Sequence, residues 1–447
     1  MILDHCPSKP RLAQRDILLA VEQHWDQCSV FVIQAAVALG KSFIAYTISK
    51  WVEREKKLTT AITTPTNILV DQYEDSFSDL VSLRKSSAYG TKTAFGVAQE
   101  RAKRAPVSLS TYYAYAANKL WKDVLIGDEA HSIISMIQDR WAGRLWQRDW
   151  WYPDELNTIG DVVRWMESKD NSKLNKLRKE IVEDRTYTLQ YVDEFWRGEK
   201  QPCIKLIPLS VRDRRPWLWG NKKVRKIVLM SATINAQDVY ELGLDKRRVV
   251  YIEADSPIPA VNRLIYYEPV VDMRFALRST SVTELVARLH RDLEELPGKG
   301  VIHCSYDVAA RLKYRLRHDR LIWHTRDDKV AQYRKFRESD PGCGAVLVAS
   351  GLSEGIDLVG DAGRWQVLTQ VMFPDINDPA VAHKAAASPE WYAWQAIRTM
   401  LQTVGRICRT PTDMGVTKVY DSQFSRLYSE YPEMFPQHVR NSIVFCT

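Results

Sequence analysis

The sequence predicts an α/β protein of two parallel-sheet domains, the first interrupted by a small, mainly helical insertion. Three observations predict it. Short, near-continuous apolar runs bounded by turn residues alternate with helical patterns, as strands buried on both faces of a parallel sheet require. The alternation lapses over residues 132–226 and then resumes. Finally, 447 residues exceed the usual size of a single domain.

In chain order, Phe31-Val32-Ile33, Ala61-Ile62, Val124-Leu125-Ile126 and Ile227-Val228-Leu229-Met230 are strands of the first half. Within the interruption, residues 161–196 are mostly polar with apolar positions at helical spacing: Val162, Trp165 and Met166, then Leu174, Leu177, Ile181 and Val182. Ser256-Pro257-Ile258-Pro259 reads as a linker. Beyond it the strand signal returns at Val301-Ile302, Ala345-Val346-Leu347-Val348, Val367-Leu368 and residues 416–420. The expected division is 1–131 with 227–256 for the first domain, 132–226 for the insertion and 257–447 for the second domain.

Hydrophobic content of 45% with 26% charged residues is ordinary globular composition. No run approaches the roughly 20 apolar residues of a membrane span, and the first fifteen residues place charges and prolines where a secretion signal would be apolar. Seven scattered cysteines form no Cys-x-x-Cys pair, which argues against a zinc or redox centre. A soluble protein of a reducing, cytoplasmic compartment is expected. The net charge of +8 makes polyanions plausible partners, and it is uneven. Residues 132–226 hold 20 Lys/Arg against 14 Asp/Glu, together with eight of the fifteen tryptophans.

Chemistry concentrates in a few segments. Gln34-Ala35-Ala36-Val37-Ala38-Leu39-Gly40-Lys41-Ser42 follows an apolar strand and precedes a helical pattern, the setting of a phosphate loop. Backbone N–H groups from Ala38, Leu39 and Gly40 would face phosphates, Lys41 would reach the β and γ oxygens, and the Ser42 hydroxyl would ligate magnesium. Alanines at 35, 36 and 38 leave this loop less freedom for positive φ than glycines would. Asp128-Glu129-Ala130-His131 ends a strand, placing two carboxylates at the sheet edge where ligands bind. Asp128 would hold Mg2+, and Glu129 would orient and deprotonate the attacking water. Gln402-Thr403-Val404-Gly405-Arg406-Ile407-Cys408-Arg409 sets two arginines three apart on one helix side. Delivered across a cleft, Arg406 and Arg409 would neutralise charge on the transferring phosphoryl group, an effect of about 10³ to 10⁵ in rate.

In this order and with Ser231-Ala232-Thr233 between them, the segments resemble the motifs of superfamily-2 helicases over nearly the whole chain. The resemblance implies two RecA-like domains closing on ATP and Mg2+, with His131 and Gln402 in the catalytic set. Gln14, with Arg11 before it, looks like the family's adenine-contacting glutamine. Thr64-Pro65-Thr66 resembles motif Ia, His303-Cys304-Ser305 a loose motif IV, and Ser353-Glu354-Gly355-Ile356-Asp357 motif V, which adds Glu354 and Asp357 to the nucleotide set. That last segment, Met372-Phe373-Pro374 with Asp378-Pro379, and Asp421 with Arg426 are similar to the XPD/DinG-like branch, whose members also carry an arch inserted between motifs II and III. The branch usually binds an iron–sulfur cluster through four cysteines between motifs I and II; residues 41–128 here contain none, so no cluster is expected. A compact, cluster-free chain of this kind resembles phage-type helicases of recombination or branch migration, which would work in the host cytoplasm.

The same resemblance places Thr64, Pro65, Thr66, Ser110, Thr111, Tyr112 and Ser353 along the path of single-stranded or branched DNA, bonded to phosphates without reading bases. In the insertion, Arg140, Trp141, Arg144, Trp146, Arg148, Trp150 and Trp151 interleave cations with rings on which bases could stack. Core anchoring of a small module competes with that reading for each tryptophan, and the same choice arises for Arg212, Arg214 and Arg215 beside Trp217 and Trp219. A monomeric DNA helicase acting on forks or branches in replication, recombination or repair is the expected function. A duplex translocase without strand separation, an RNA helicase, and a nucleic-acid-binding protein that has lost hydrolysis remain alternatives.

Overall fold

The computed structural model describes residues 1–446 except 37, 154–155, 185–186, 197–198, 221, 255, 352–357, 359, 409 and 411. Its strands are, in chain order, β1 (Val30–Ala35), β2 (Thr60–Thr64), β3 (Val81–Leu83), β4 (Val107–Thr111), β5 (Val124–Asp128), β6 (Gly143–Trp146), β7 (Tyr187–Trp196), β8 (Glu199–Pro208), β9 (Lys226–Ser231) and β10 (Val249–Ala254). The second half adds β11 (Ile265–Val271), β12 (Gly300–Cys304), β13 (Leu321–Ile322), β14 (Val346–Ser350), β15 (Trp365–Leu368), β16 (Val416–Asp421) and β17 (Ile443–Phe445).

Two seven-stranded parallel sheets result, ordered β10-β1-β9-β5-β2-β4-β3 and β13-β14-β12-β15-β16-β11-β17. β2, β4 and β5 are buried at every position because helices cover both sheet faces, which is why their sequences do not alternate. On one face, helix Lys41–Arg54 turns Ile44, Ile48, Trp51 and Val52 onto Phe31, Ile33, Ile62 and Ile126. Among the described residues no helix is long and apolar enough to cross a membrane.

The insertion departs from the helical expectation. Helices Ile159–Glu167 and Ser172–Asp184 are present, but they pack on a three-stranded antiparallel sheet ordered β6-β8-β7. Val162, Trp165, Met166, Leu174 and Ile181 meet Leu145, Tyr187, Ile204 and Leu206 in one small core. Core anchoring accounts for most of the tryptophans: Trp165 and Trp219 are buried, while Trp141 and Trp217 pack against the core of the first domain. The neighbouring cations are engaged internally. Arg144 pairs with Asp139 at 2.5 Å and Glu194 at 2.7 Å, Arg212 with Asp245 at 3.0 Å, and Arg214 lies 5.2 Å from the Trp141 ring centre. Trp151, by contrast, is exposed.

Side-chain contacts among the described residues join the second domain to the first domain and its insertion. Gln190 on β7 donates to Asp378 at 2.6 Å. Helix Ala236–Glu241, which follows β9, pairs Glu241 with Lys384 at 2.6 Å and Asp238 with Arg398. Arg398 lies on helix Pro389–Val404, whose last turns carry Gln402.

Candidate active site

The phosphate loop turns out of β1 and enters helix Lys41–Arg54 through two left-handed residues, Ala38 (φ 66°) and Gly40 (φ 82°). Ala38 adopts this conformation despite its Cβ, at a cost that the surroundings must offset. They do so through Arg11 and Gln14. Arg11 Nη1 donates to the Ala38 carbonyl and Gln14 Nε2 to the Leu39 carbonyl, both at 2.8 Å, while Gln14 Oε1 accepts from the Arg11 N–H at 2.9 Å. A Cβ at Gly40 would lie 2.7 Å from Gln14 Nε2, so glycine is required there for space as well as for φ. Gln14 is thus buried and bonded to the loop itself.

Lys41 Nζ reaches Glu129 Oε1 at 2.9 Å. Glu129, itself left-handed at φ 50°, follows Asp128 at the C-terminal end of β5. Asp128 is buried, with Oδ1 accepting from the Glu129 N–H at 2.9 Å and Oδ2 from the Tyr73 hydroxyl at 3.0 Å. Burial pushes its carboxyl up to about 6; Lys41 opposes that shift and the neighbouring Glu129 adds to it. Glu129 goes the other way. Burial disfavours its charge, but Lys41 and His131 outweigh this and hold it well below the usual carboxylate range. His131 Nδ1 lies 3.3 Å from Glu129 Oε2 and 2.8 Å from the Ser231 hydroxyl, whose oxygen also accepts from the Thr233 N–H at 3.1 Å. The two carboxylates therefore differ sharply in proton affinity, as different tasks require.

Opposite this edge, a cavity between the domains is lined by Ala36, Ala232 and Thr233 from one side and Leu401, Val404, Gly405, Ile407 and Cys408 from the other. Ala38 packs against the cluster that contains Ile407 and Cys408. The structure thus brings the phosphate loop, Ser231-Ala232-Thr233 and the Gln402–Cys408 stretch together, with Arg406 between two cavity-lining neighbours. Arg409, Ser353, Glu354 and Asp357 lie outside the described residues, as does Val37 in the loop. Ser42 is half-buried at the start of its helix.

The expected DNA-path residues divide. Thr64, Ser110, Thr111 and Tyr112 are buried. Three of their hydroxyls are used inside the fold: Tyr112 donates to the Asp128 carbonyl at 2.9 Å, Thr64 to the Thr66 carbonyl at 3.0 Å, and Thr111 Oγ1 accepts from the Ala114 N–H at 3.2 Å. Pro65 is half-buried and Thr66 exposed. Sequence reasoning missed Tyr73, Asp238 and Arg398, which lie in no motif; a tyrosine 55 residues from its aspartate gives no local signal.

A lysine-bearing loop and a carboxylate pair on one parallel sheet, with a second parallel sheet across a cavity, define a two-lobed α/β core built around a phosphate-loop-like site. The comparisons agree. A family model described as type III restriction enzyme, res subunit, matches residues 7–147, and one described as helicase C-terminal domain matches residues 293–442. The chain is similar to superfamily-2 helicases of the XPD/DinG-like kind. It is 30% identical over 126 residues to a regulator of telomere elongation helicase 1 homolog of Caenorhabditis briggsae, covering 24% of this chain and 12% of that protein. It is 25% identical over 273 residues to a probable ATP-dependent helicase of Methanocaldococcus jannaschii, covering 53% and 40%. The matches thus span well under half the length of these relatives. The solved structure of S. tokodaii Xpd4 superposes with a TM-score of 0.62 at 14% identity over 98% of this chain and all of that one; an apo XPD structure gives 0.65 at 13% over 97% and 100%.

Proposed function

We propose that the protein is an ATP-dependent DNA helicase that translocates on a single strand and unwinds forked or branched DNA during replication, recombination or repair. The observation that carries this reading is the Lys41–Glu129 pair at 2.9 Å, set beside buried Asp128 on the sheet whose Ala36 and Thr233 share a cavity with Gly405 and Cys408 of the other domain. Lys41 would exchange Glu129 for the β and γ oxygens of ATP. Released on that side, Glu129 would stay ionised and accept a proton from the attacking water, with His131 fixing its other oxygen. Ser42 and Asp128 are the residues that would hold Mg2+, which when bound neutralises charge on the β and γ phosphates. The donor set fits such an ion: a hydroxyl at the helix start and a carboxylate at the adjoining strand end, all hard oxygens. Arg406 and Arg409 would complete the site when the lobes close, with Glu354 and Asp357 supplying further nucleotide contacts. A ligand that touches both lobes favours the closed arrangement, and its hydrolysis releases it, so each cycle shifts one domain's grip on the strand relative to the other's.

The absence of cysteines from residues 41–128 supports a cluster-free enzyme. Action as a monomer, in a reducing cytoplasm, is part of the same reading. The test is an unwinding panel of 3′-tailed, 5′-tailed, forked and four-way DNA with and without ATP. ATP-dependent strand release from at least one substrate is expected. Triplex displacement without strand separation would convert the enzyme to a duplex translocase, and ATPase stimulation by RNA alone would overturn DNA as substrate.

A further inference from the structure

Of the hydroxyls expected to touch nucleic acid on the first domain, those of Thr64, Thr111 and Tyr112 are engaged inside the fold, which turns attention to the other side chains along that edge. β5, β2, β4 and β3 are successive neighbours, and their C-terminal ends form one row leading away from Asp128 and Glu129. Beyond the end of β2 stands Ile68, 69% exposed, and beyond the end of β4 stands Tyr113, 49% exposed. Just past β3, Arg84 turns to Asp71 and Glu74 while Lys85 faces solvent. The row therefore exposes an aliphatic side chain, an aromatic ring and a cation in order. An isolated large apolar residue at the surface is commonplace. Tyr113 is distinguished by its backing: Trp217, at the base of the insertion, meets it edge-on with ring centres 6.0 Å apart, which restrains the ring while leaving much of it in solvent.

We propose that Tyr113 and Ile68 form a base-stacking site for single-stranded nucleic acid, with Lys85 drawing in its phosphate backbone. This deepens the helicase reading and rests on it. A ring and an aliphatic surface accept any base, because every base has a π face, so the site would be sequence-blind. Trp217 acts as a positioning residue for Tyr113.

The test uses the full chain and two fluorescent probes of equal length, oligo(dT) and an abasic oligonucleotide with the same phosphates, without nucleotide. The parent protein is expected to prefer oligo(dT). Tyr113→Ala should weaken oligo(dT) binding by about 5- to 150-fold, the value of about 1–3 kcal/mol for one stacked base, and leave abasic binding close to the parent's. Tyr113→Phe should retain the preference, since the ring and not the hydroxyl is used, and Lys85→Ala should weaken both probes alike. Equal loss on both probes with Tyr113→Ala, or no loss on either, overturns the stacking site, and thermal unfolding of the same variant separates a folding defect from it. If the parent binds neither probe while binding ATP, the nucleic-acid motor reading itself fails.

Discussion

Asp238 and Arg398 connect the helix behind Ser231-Ala232-Thr233 to the helix that leads into Arg406, and their pair is the most buried charge contact between the two domains among the described residues. The side chains are 2% and 12% exposed. Asp238 is committed twice, since its other oxygen accepts from the Asn235 N–H at 3.1 Å and caps its own helix. Arg398 lies 5.1 Å from the Trp394 ring centre. Asp238→Asn keeps an oxygen for the cap but removes the charge, stranding the guanidinium where water scarcely reaches. Breaking a buried pair from one side costs about 3–5 kcal/mol, and the residual exposure of Arg398 favours the lower end. About 3 kcal/mol is roughly a 150-fold shift in the closed-to-open ratio of the domains. Arg398→Met should do similar damage, whereas the double variant should be less impaired than the sum, with a coupling of about 1–3 kcal/mol. The assay is inter-domain energy transfer between dyes on exposed sites of each lobe, read with and without a non-hydrolysable ATP analogue. An Asp238→Asn population as closed as the parent's, or single effects that simply add, would refute the claim that this pair holds the lobes together.

Lys41→Ala and Glu129→Gln should each lower DNA-stimulated ATPase by at least 10²-fold, measured by phosphate release; parental turnover in either would remove the site assignment. Gly40→Ala places a Cβ against Gln14 in a left-handed backbone and should cost about 1–3 kcal/mol in the loop, seen as a higher KM for ATP. Buried His303, which shares a hydrogen bond of 3.1 Å with Gln366, is pushed down to about 4 by burial, with Arg406 adding to the shift. In the unfolded chain it titrates near 6.5, so the unfolded state binds the extra proton between these values. Stability is therefore complete above about pH 6.5 and falls by up to about 3 kcal/mol as pH drops towards 4. Denaturant titrations across that window should show the loss, and His303→Asn should flatten it.

The apolar runs made the strands of both sheets readable, because a strand covered on both faces must be apolar along its length. The order of those strands was not readable: β1 lies between β9 and β10, about two hundred residues downstream, and nothing local encodes such pairings. The insertion shows how a strong signal hides a weaker one. Helical spacing from Val162 to Ile181 is real, but the end of the same 161–196 stretch forms one arm of an antiparallel hairpin. At the site, motifs named the residues expected to touch phosphates, since loop chemistry demands particular types at fixed spacing. The partners that orient them did not announce themselves. Gln14 illustrates the difference: its type and place were legible, but its bonds to the Arg11 and Leu39 backbone appear only once the loop has folded over it.

Those orienting contacts form a sequence of their own. Glu129 meets His131, His131 meets Ser231, and Ser231 caps the turn at Thr233 that leads into helix Ala236–Glu241. Asp238 then crosses to Arg398, one helix turn before Gln402 and the segment bearing Arg406. The links inside the first domain are single hydrogen bonds with net values of about 1 kcal/mol each, while the crossing is a buried ion pair of several times that cost to break. Motion between the lobes should then be accommodated first in the weak links beside Ser231 and last at Asp238. On the proposed reading, loss of the γ phosphate should be felt at Glu129 and His131 before the domains part.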